Sequence, residues 1–155
     1  MIDTTISLEL LNKSGKNTLC EHLKIEFTEI NKNFLKAKMP VDHSTHQPLG
    51  MLNGGASAAL AETTASMAAY LSLDRDEYIC LGLEMKINHI KPVRSGFVYA
   101  TATPVHQGIQ THVWQIRIED DAEDLVAFST LTMAILPLSR LNNPDIKNFI
   151  SKFVH

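Results

Sequence analysis

Glu62 is the residue whose surroundings ask for chemistry. It is the only Asp, Glu, Lys or Arg between Asp42 and Asp74, and it stands inside an alanine-rich run, ASAALAETTASMAAYLSL. A carboxylate buried without partners is costly, so it shifts its pKa or finds donors. Carboxylates perturbed in this way serve as general bases and nucleophiles. A second reading fits equally well: Glu62 lies on one wet stripe of a helix beside Thr63 and Ser66 and does no chemistry. Ser66 follows Glu62 by four residues and so shares its helix face. Its hydroxyl can hold a water, orient the carboxylate, or bond back to its own helix. Asn53-Gly54-Gly55 precedes the run. A helix N-terminus offers unpaired N–H groups and partial positive charge, and glycine lets a ligand approach the backbone. A polarised carbonyl or an oxyanion fits there; so does a plain loop with Asn53 as N-cap.

These groups need a scaffold, and the pattern of the chain supplies one. Residues 56 to 73 contain no glycine or proline and predict the one long helix. It is small or apolar nearly all round, which places it inside a fold. Ile6 to Asn12 predicts a short helix ended by Ser14-Gly15. Leu23 to Ile30 alternates apolar and polar residues, as a half-buried strand does. Asn31 to Asn33 is a turn signal, and Phe34 to Met39 completes a hairpin. Pro40 to Pro48 is polar and predicts a loop. Beyond the long helix, Tyr78 to Ile90, Phe97 to Val105, Gln110 to Glu119 and Leu125 to Leu136 all predict strands. Gly96, Gly108 and the acidic run Glu119 to Asp124 supply turns. In QTHVWQIRIE, the residues His112, Trp114, Ile116 and Ile118 share one face. Asn143-Pro144 and the residues after it predict a short terminal helix. Strand, strand, long helix, then four strands at hairpin spacing favour an antiparallel sheet around the helix, an α+β fold.

The chain has 155 residues and a formal net charge of −3. That length fits one domain, residues 1–155, with a core over about 15–138. Without a Lys/Arg cluster it carries no electrostatic footprint for nucleic acid. The stretch from Leu49 to Leu73 is interrupted by polar residues and fails as a membrane span. The N-terminus lacks the pattern of a signal peptide, so the expected location is cytoplasmic. Cys20 and Cys80 lie far apart and form no CxxC pair, which points to free thiols in a reducing compartment. His43 and His46 sit in a polar loop without further ligands, so no metal is expected. His89, His106 and His112 stand singly in or beside strands and read first as structural. GxSxG, P-loop, GxGxxG and HExxH motifs are absent, which leaves serine-hydrolase and nucleotide-kinase chemistry unsupported.

The segment QPLGMLNGGASAALAETTASMAAYL resembles the central helix region of hotdog-fold acyl-CoA thioesterases. The resemblance continues through GLEMKINHIKPVRSG, PVHQG, VWQIRI and STLTMAIL, covering about Gly15 to Leu136. Within that superfamily it is nearest to the bacterial aryl-CoA and 1,4-dihydroxy-2-naphthoyl-CoA thioesterases, the group that includes the enterobactin proofreading thioesterase. The resemblance implies a five- or six-stranded antiparallel sheet wrapped around the long helix. It also implies a homo-oligomer whose sheets join edge to edge, dimers pairing into a homotetramer, with active sites between subunits. Glu62 would be the nucleophile or general base. Gln47 and the Gly54 N–H would come from the facing subunit to polarise the thioester carbonyl, and Ser66 would stand near the attacked carbon or the water. Gly82, His89, Ile90, Lys91, Pro92, His106, Gln107, Gly108, Ile109, Gln110 and Thr111 match segments that contact CoA or the acyl group. The implied substrate is an aromatic acyl-CoA, and no cofactor is needed, since CoA is part of the substrate.

The sequence departs from the family where it has Asn53, a position usually held by histidine. Asparagine can donate a hydrogen bond through its amide but carries no titrating proton. This departure motivates one alternative, a hotdog protein that binds acyl-CoA without turning it over. Ile109-Gln110-Thr111 also lacks the basic residue often found there. Lys91 and Arg94 are the cations expected to compensate in holding the CoA phosphates.

Overall fold

A computed structural model describes residues 1–140; the expected terminal helix lies outside them. Helix α1 (Leu8–Ser14) starts on a Ser7 cap and ends at Gly15, as the sequence predicts. A one-turn helix α2 (Leu19–His22), capped by Thr18, occupies the approach to the first strand. Strand β1 (Glu26–Asn31) therefore starts later than the alternation from Leu23 suggests. The reason is local: Leu23 closes α2, and Lys24 turns the chain with a φ of 55°. β2 (Phe34–Pro40) completes the hairpin. The polar loop that follows holds two short strands, β3 (His46–Gln47) and β4 (Met51–Leu52), paired around Gly50 at φ +71°.

Helix α3 (Gly54–Tyr70) comes next, then β5 (Tyr78–His89), β6 (Phe97–Gln107), β7 (Thr111–Asp120) and β8 (Leu125–Pro137). Six strands form one sheet in the order β1-β2-β6-β7-β8-β5, with every pairing antiparallel. β5 and β6 follow each other in sequence but are not neighbours. β5 pairs with β8, and the stretch from Ile90 to Gly96 carries the chain to the other half of the sheet, where β6 joins β2. The hairpin reading of these two strands is corrected accordingly: their connection is a crossover. β5 is thus an edge strand.

The sheet curves around α3, which touches β2, β5, β6, β7 and β8. The helix can lie this close because its inward face is mostly small. Ala61, Ala65 and Ala68 are fully buried around Leu60. The sheet answers with Leu35, Met39, Ile116, Ile118, Leu131 and a Trp114 that is 0% exposed. Burying a side chain such as Leu60 contributes about 1.5–3 kcal/mol. His112, Trp114, Ile116 and Ile118 all face this core, the face their period of two predicts. An antiparallel six-stranded sheet around one long helix is the hotdog arrangement. Among the described residues, no helix is long and apolar enough to cross a membrane.

Candidate active site

Glu62 does not lie in the core. Residues 60, 61, 64, 65 and 68 of α3 are buried, whereas Glu62 is exposed on the outward stripe with Thr63 and Ser66 half-buried beside it. Of the two readings of the sequence, the single chain adopts the outward one. The carboxylate is not loose in solvent, however. It rests on β5 at Gly82, where an added Cβ would stand 2.9 Å from Glu62 Oε1. The β5 ladder is irregular between Gly82 and Glu84, which bends this edge next to the carboxylate. Glycine at 82 leaves the space that Glu62 fills.

Beside Glu62, the C-terminal half of α3 and the start of β5 enclose an apolar pocket of about 330 Å³. Thr63, Ser66, Met67 and Tyr70 line it from the helix, and Ile79, Cys80 and Leu81 from the strand. The Ser66 hydroxyl faces Met133 Sδ at 3.8 Å, and Cys80 Sγ donates to the Ser66 carbonyl at 3.7 Å. Burial pushes the Cys80 thiol up to about 12, so it stays protonated. Cys20 and Cys80 are both free and half-buried. The sequence does not single out Met67 or Tyr70, and it marks Cys80 only as a free thiol. The available signal was spacing, since 63, 66, 67 and 70 fall on one helix stripe with Ser66.

A second cleft, also about 330 Å³, opens at the other end of the helix. Gln47, Gly54, His89, Ile90, Lys91 and Pro92 line it. The β3–β4 hairpin presents Gln47 there, with Gln47 Oε1 accepting from Leu49 N–H at 2.6 Å. The amide nitrogen is then the end left to donate. Asn53 caps α3 by accepting from Gly55 N–H at 2.7 Å, so the cap serves the neighbouring N–H rather than that of Gly54. His89 lies over Gly54: an added Cβ would stand 2.8 Å from His89 Nε2. A side chain at 54 would displace the ring and close the approach to the helix end.

Asn53 apart, the remaining residues expected at the site fall into these two groups. Gln107, His112, Met133 and Gly82 form a row across β6, β7, β8 and β5, which puts the hairpin tip, residues 106 to 111, at the Glu62 end of the sheet. Gly108 holds the tip compactly, with its N–H donating to the Thr111 carbonyl at 2.9 Å. Asn53 is not brought into the Gln47 cleft; it lines a different hollow with Leu19, Leu23, Thr45 and His46. Nor are the two expected phosphate cations free. Lys91 Nζ bridges Asp120 at 2.7 Å and Asp124 at 2.5 Å. Arg94 Nη1 donates to the carbonyls of Leu49 and Gly50 at 3.1 and 3.2 Å.

On one chain the two groups stand apart. Gly54 and Glu62 are separated by about 12 Å along the helix, at 1.5 Å per residue. Gly82 and His89 are about 23 Å apart along β5. A carbonyl group held by Gly54 N–H cannot also meet the Glu62 carboxylate of the same chain. Glu62 and Gly54 thus stand toward opposite ends of β5, a strand whose outer edge is unpaired among the described residues.

Residues 49–127 match the sequence profile of the Thioesterase superfamily. The chain is 44% identical to the proofreading thioesterase EntH of Cronobacter turicensis, over 84% of this chain and 95% of that protein. It is 43% identical to the 1,4-dihydroxy-2-naphthoyl-CoA hydrolase of Escherichia coli, over 84% of this chain and 96% of that one. The crystal structure of a thioesterase from Haemophilus influenzae superposes with a TM-score of 0.88 at 41% identity, covering 92% of this chain and 99% of that one.

Proposed function

The chain belongs to the thioesterase superfamily as a thioester hydrolase, and we propose that its substrate is an acyl-CoA, with Glu62 as the reacting carboxylate. The observation that carries this reading is the placement of Glu62. It is the one carboxylate of α3, held against Gly82 beside an apolar pocket sized for an acyl group. The apolar lining and the similarity to a naphthoyl-CoA hydrolase both support an aromatic acyl group.

The site is completed by a second copy. β5 is a twelve-residue edge strand whose Leu81 and Leu83 are 49% and 63% exposed. An unprotected apolar edge is a template for pairing. Two β5 strands paired antiparallel about a two-fold axis near residues 85–86 set the Gly82 end of one beside the His89 end of the other. Glu62 of one subunit then faces Gln47 and Gly54 of its partner. Two such dimers form the tetramer. Free thiols at Cys20 and Cys80 fit a reducing compartment, the cytoplasm.

In the completed site the Gly54 N–H and the Gln47 amide donate to the thioester carbonyl oxygen and stabilise the charge that develops there. His89 shields that end of the site from bulk water. Glu62 either attacks the carbonyl carbon, expelling CoA thiolate and leaving an anhydride that water cleaves, or takes a proton from the water that attacks. Thiolate leaves without a strong general acid. Asn53 can therefore serve as a cap where the family resemblance implies histidine.

The test is thiol release from a panel of aromatic and aliphatic acyl-CoAs by wild type and by Glu62→Ala. Turnover that disappears in a folded Glu62→Ala protein supports the reading. Equal release by both proteins removes Glu62 from the mechanism.

A further inference from the structure

The cleft that holds Gly54 has a cation at its edge, and that cation is already occupied. Lys91 Nζ lies 2.7 Å from Asp120 Oδ2 and 2.5 Å from Asp124 Oδ2, so the cluster of three carries a net charge of −1. The two carboxylates have different duties. Asp120 is 12% exposed, and its other oxygen accepts from the N–H groups of Ala122 and Asp124, which fixes the β7–β8 turn. Asp124 is 62% exposed, and its carboxylate reaches Lys91 alone among the contacts described. Other acidic residues of the turn are engaged away from the cleft. Glu119 pairs with Arg117, and Asp121 accepts from Phe97 N–H and Tyr99 O–H. Arg94, the other nearby cation, is tied to backbone carbonyls. A phosphate arriving at this mouth must displace a carboxylate to reach an ammonium group.

We propose that Asp124 is a specificity-determining residue that holds Lys91 away from the phosphates of CoA, so that the cleft favours the uncharged pantetheine arm over the nucleotide. This rests on the acyl-CoA reading of the site but is tested by binding, which needs no turnover. CoA and phosphate-free pantetheine are each titrated by calorimetry into wild type, Asp124→Asn and Glu123→Gln. Glu123 is an exposed acid of the same turn, so its substitution makes the same charge change without touching Lys91. Asp124→Asn is expected to tighten CoA binding about two- to five-fold, the factor of one exposed charge pair, and to leave pantetheine unchanged. The gain shrinks in high salt, because exposed charges are screened. Glu123→Gln is expected to leave both ligands unchanged. Equal gains from the two substitutions, an equal gain for pantetheine, or no change in CoA affinity for Asp124→Asn, including no CoA binding by any of the three proteins, would overturn the proposal. Absent thiol release alongside the expected binding changes would instead overturn the acyl-CoA hydrolase reading and leave the role of Asp124 standing.

Discussion

Mixing two variants, each expected to be inactive, tests the proposed split site directly. Glu62→Ala removes the carboxylate from one half-site, and Gln47→Ala removes the carbonyl donor from the other. In either variant alone, every site of the dimer lacks one group. A mixed dimer has one site with both groups intact and one site lacking both. The intact site takes Glu62 from the Gln47→Ala chain and Gln47 from the Glu62→Ala chain. Random exchange at equal concentrations makes about half the dimers mixed, so about one quarter of all sites are complete. The reason to expect this is distance. Catalytic contacts span about 3 Å, whereas Gly54 and Glu62 of one chain stand about 12 Å apart along the helix. Glu62 is moreover held against Gly82 instead of reaching back toward its own helix start. The assay is thiol release after the two variants are denatured together and refolded, compared with each refolded alone. Recovery near one quarter of wild-type turnover supports a site shared between subunits. Activity no higher than the mean of the parents, in a sample shown to contain mixed dimers, would refute the reasoning.

Gly82→Ala is expected to lower kcat about 10- to 100-fold while moving the melting temperature little. The new Cβ would sit 2.9 Å from Glu62 Oε1 and push the carboxylate off its position, and misplacement by about an ångström has that effect on rate. Wild-type kcat in this variant would show that the position of Glu62 on β5 is unimportant. His112 predicts an acid-sensitive fold. It is buried, with Nδ1 lacking a partner among the described residues, and burial first, then the charges of His106 and the N-terminal amine, lowers its pKa. The unfolded chain takes up this proton near pH 6.5 and the folded chain only at lower pH, so this contribution to stability is full above about 6.5 and falls as the pH drops below it. Urea midpoints at pH 5 and pH 7 should therefore converge in His112→Phe relative to wild type; unchanged spacing would mean that His112 is not the titrating group.

Much of this protein was legible in one dimension. Strand alternation and the alanine-rich run are local consequences of backbone period and side-chain size, so β2, β6, β7, β8 and α3 were placed to within a few residues. Glu62 was conspicuous because a charge interrupts an otherwise small and apolar segment. Short-range chemistry hid α2, since its single turn lies just before the alternating pattern and is held by the Thr18 cap. Which strands become neighbours was decided only in the folded chain. β5 leaves the expected hairpin with β6 and pairs with β8, 38 to 59 residues farther on, because the sheet has to close around the helix on both sides. Tertiary structure also sorted the site residues, grouping Gly82 and the 106–111 tip with Glu62, and His89 to Pro92 with Gln47 and Gly54. It turned Lys91 from a free cation into the partner of Asp120 and Asp124. Local pattern records the period of a backbone and the character of a side chain; contacts between residues tens of positions apart exist only once the chain has paid the entropy of bringing them together.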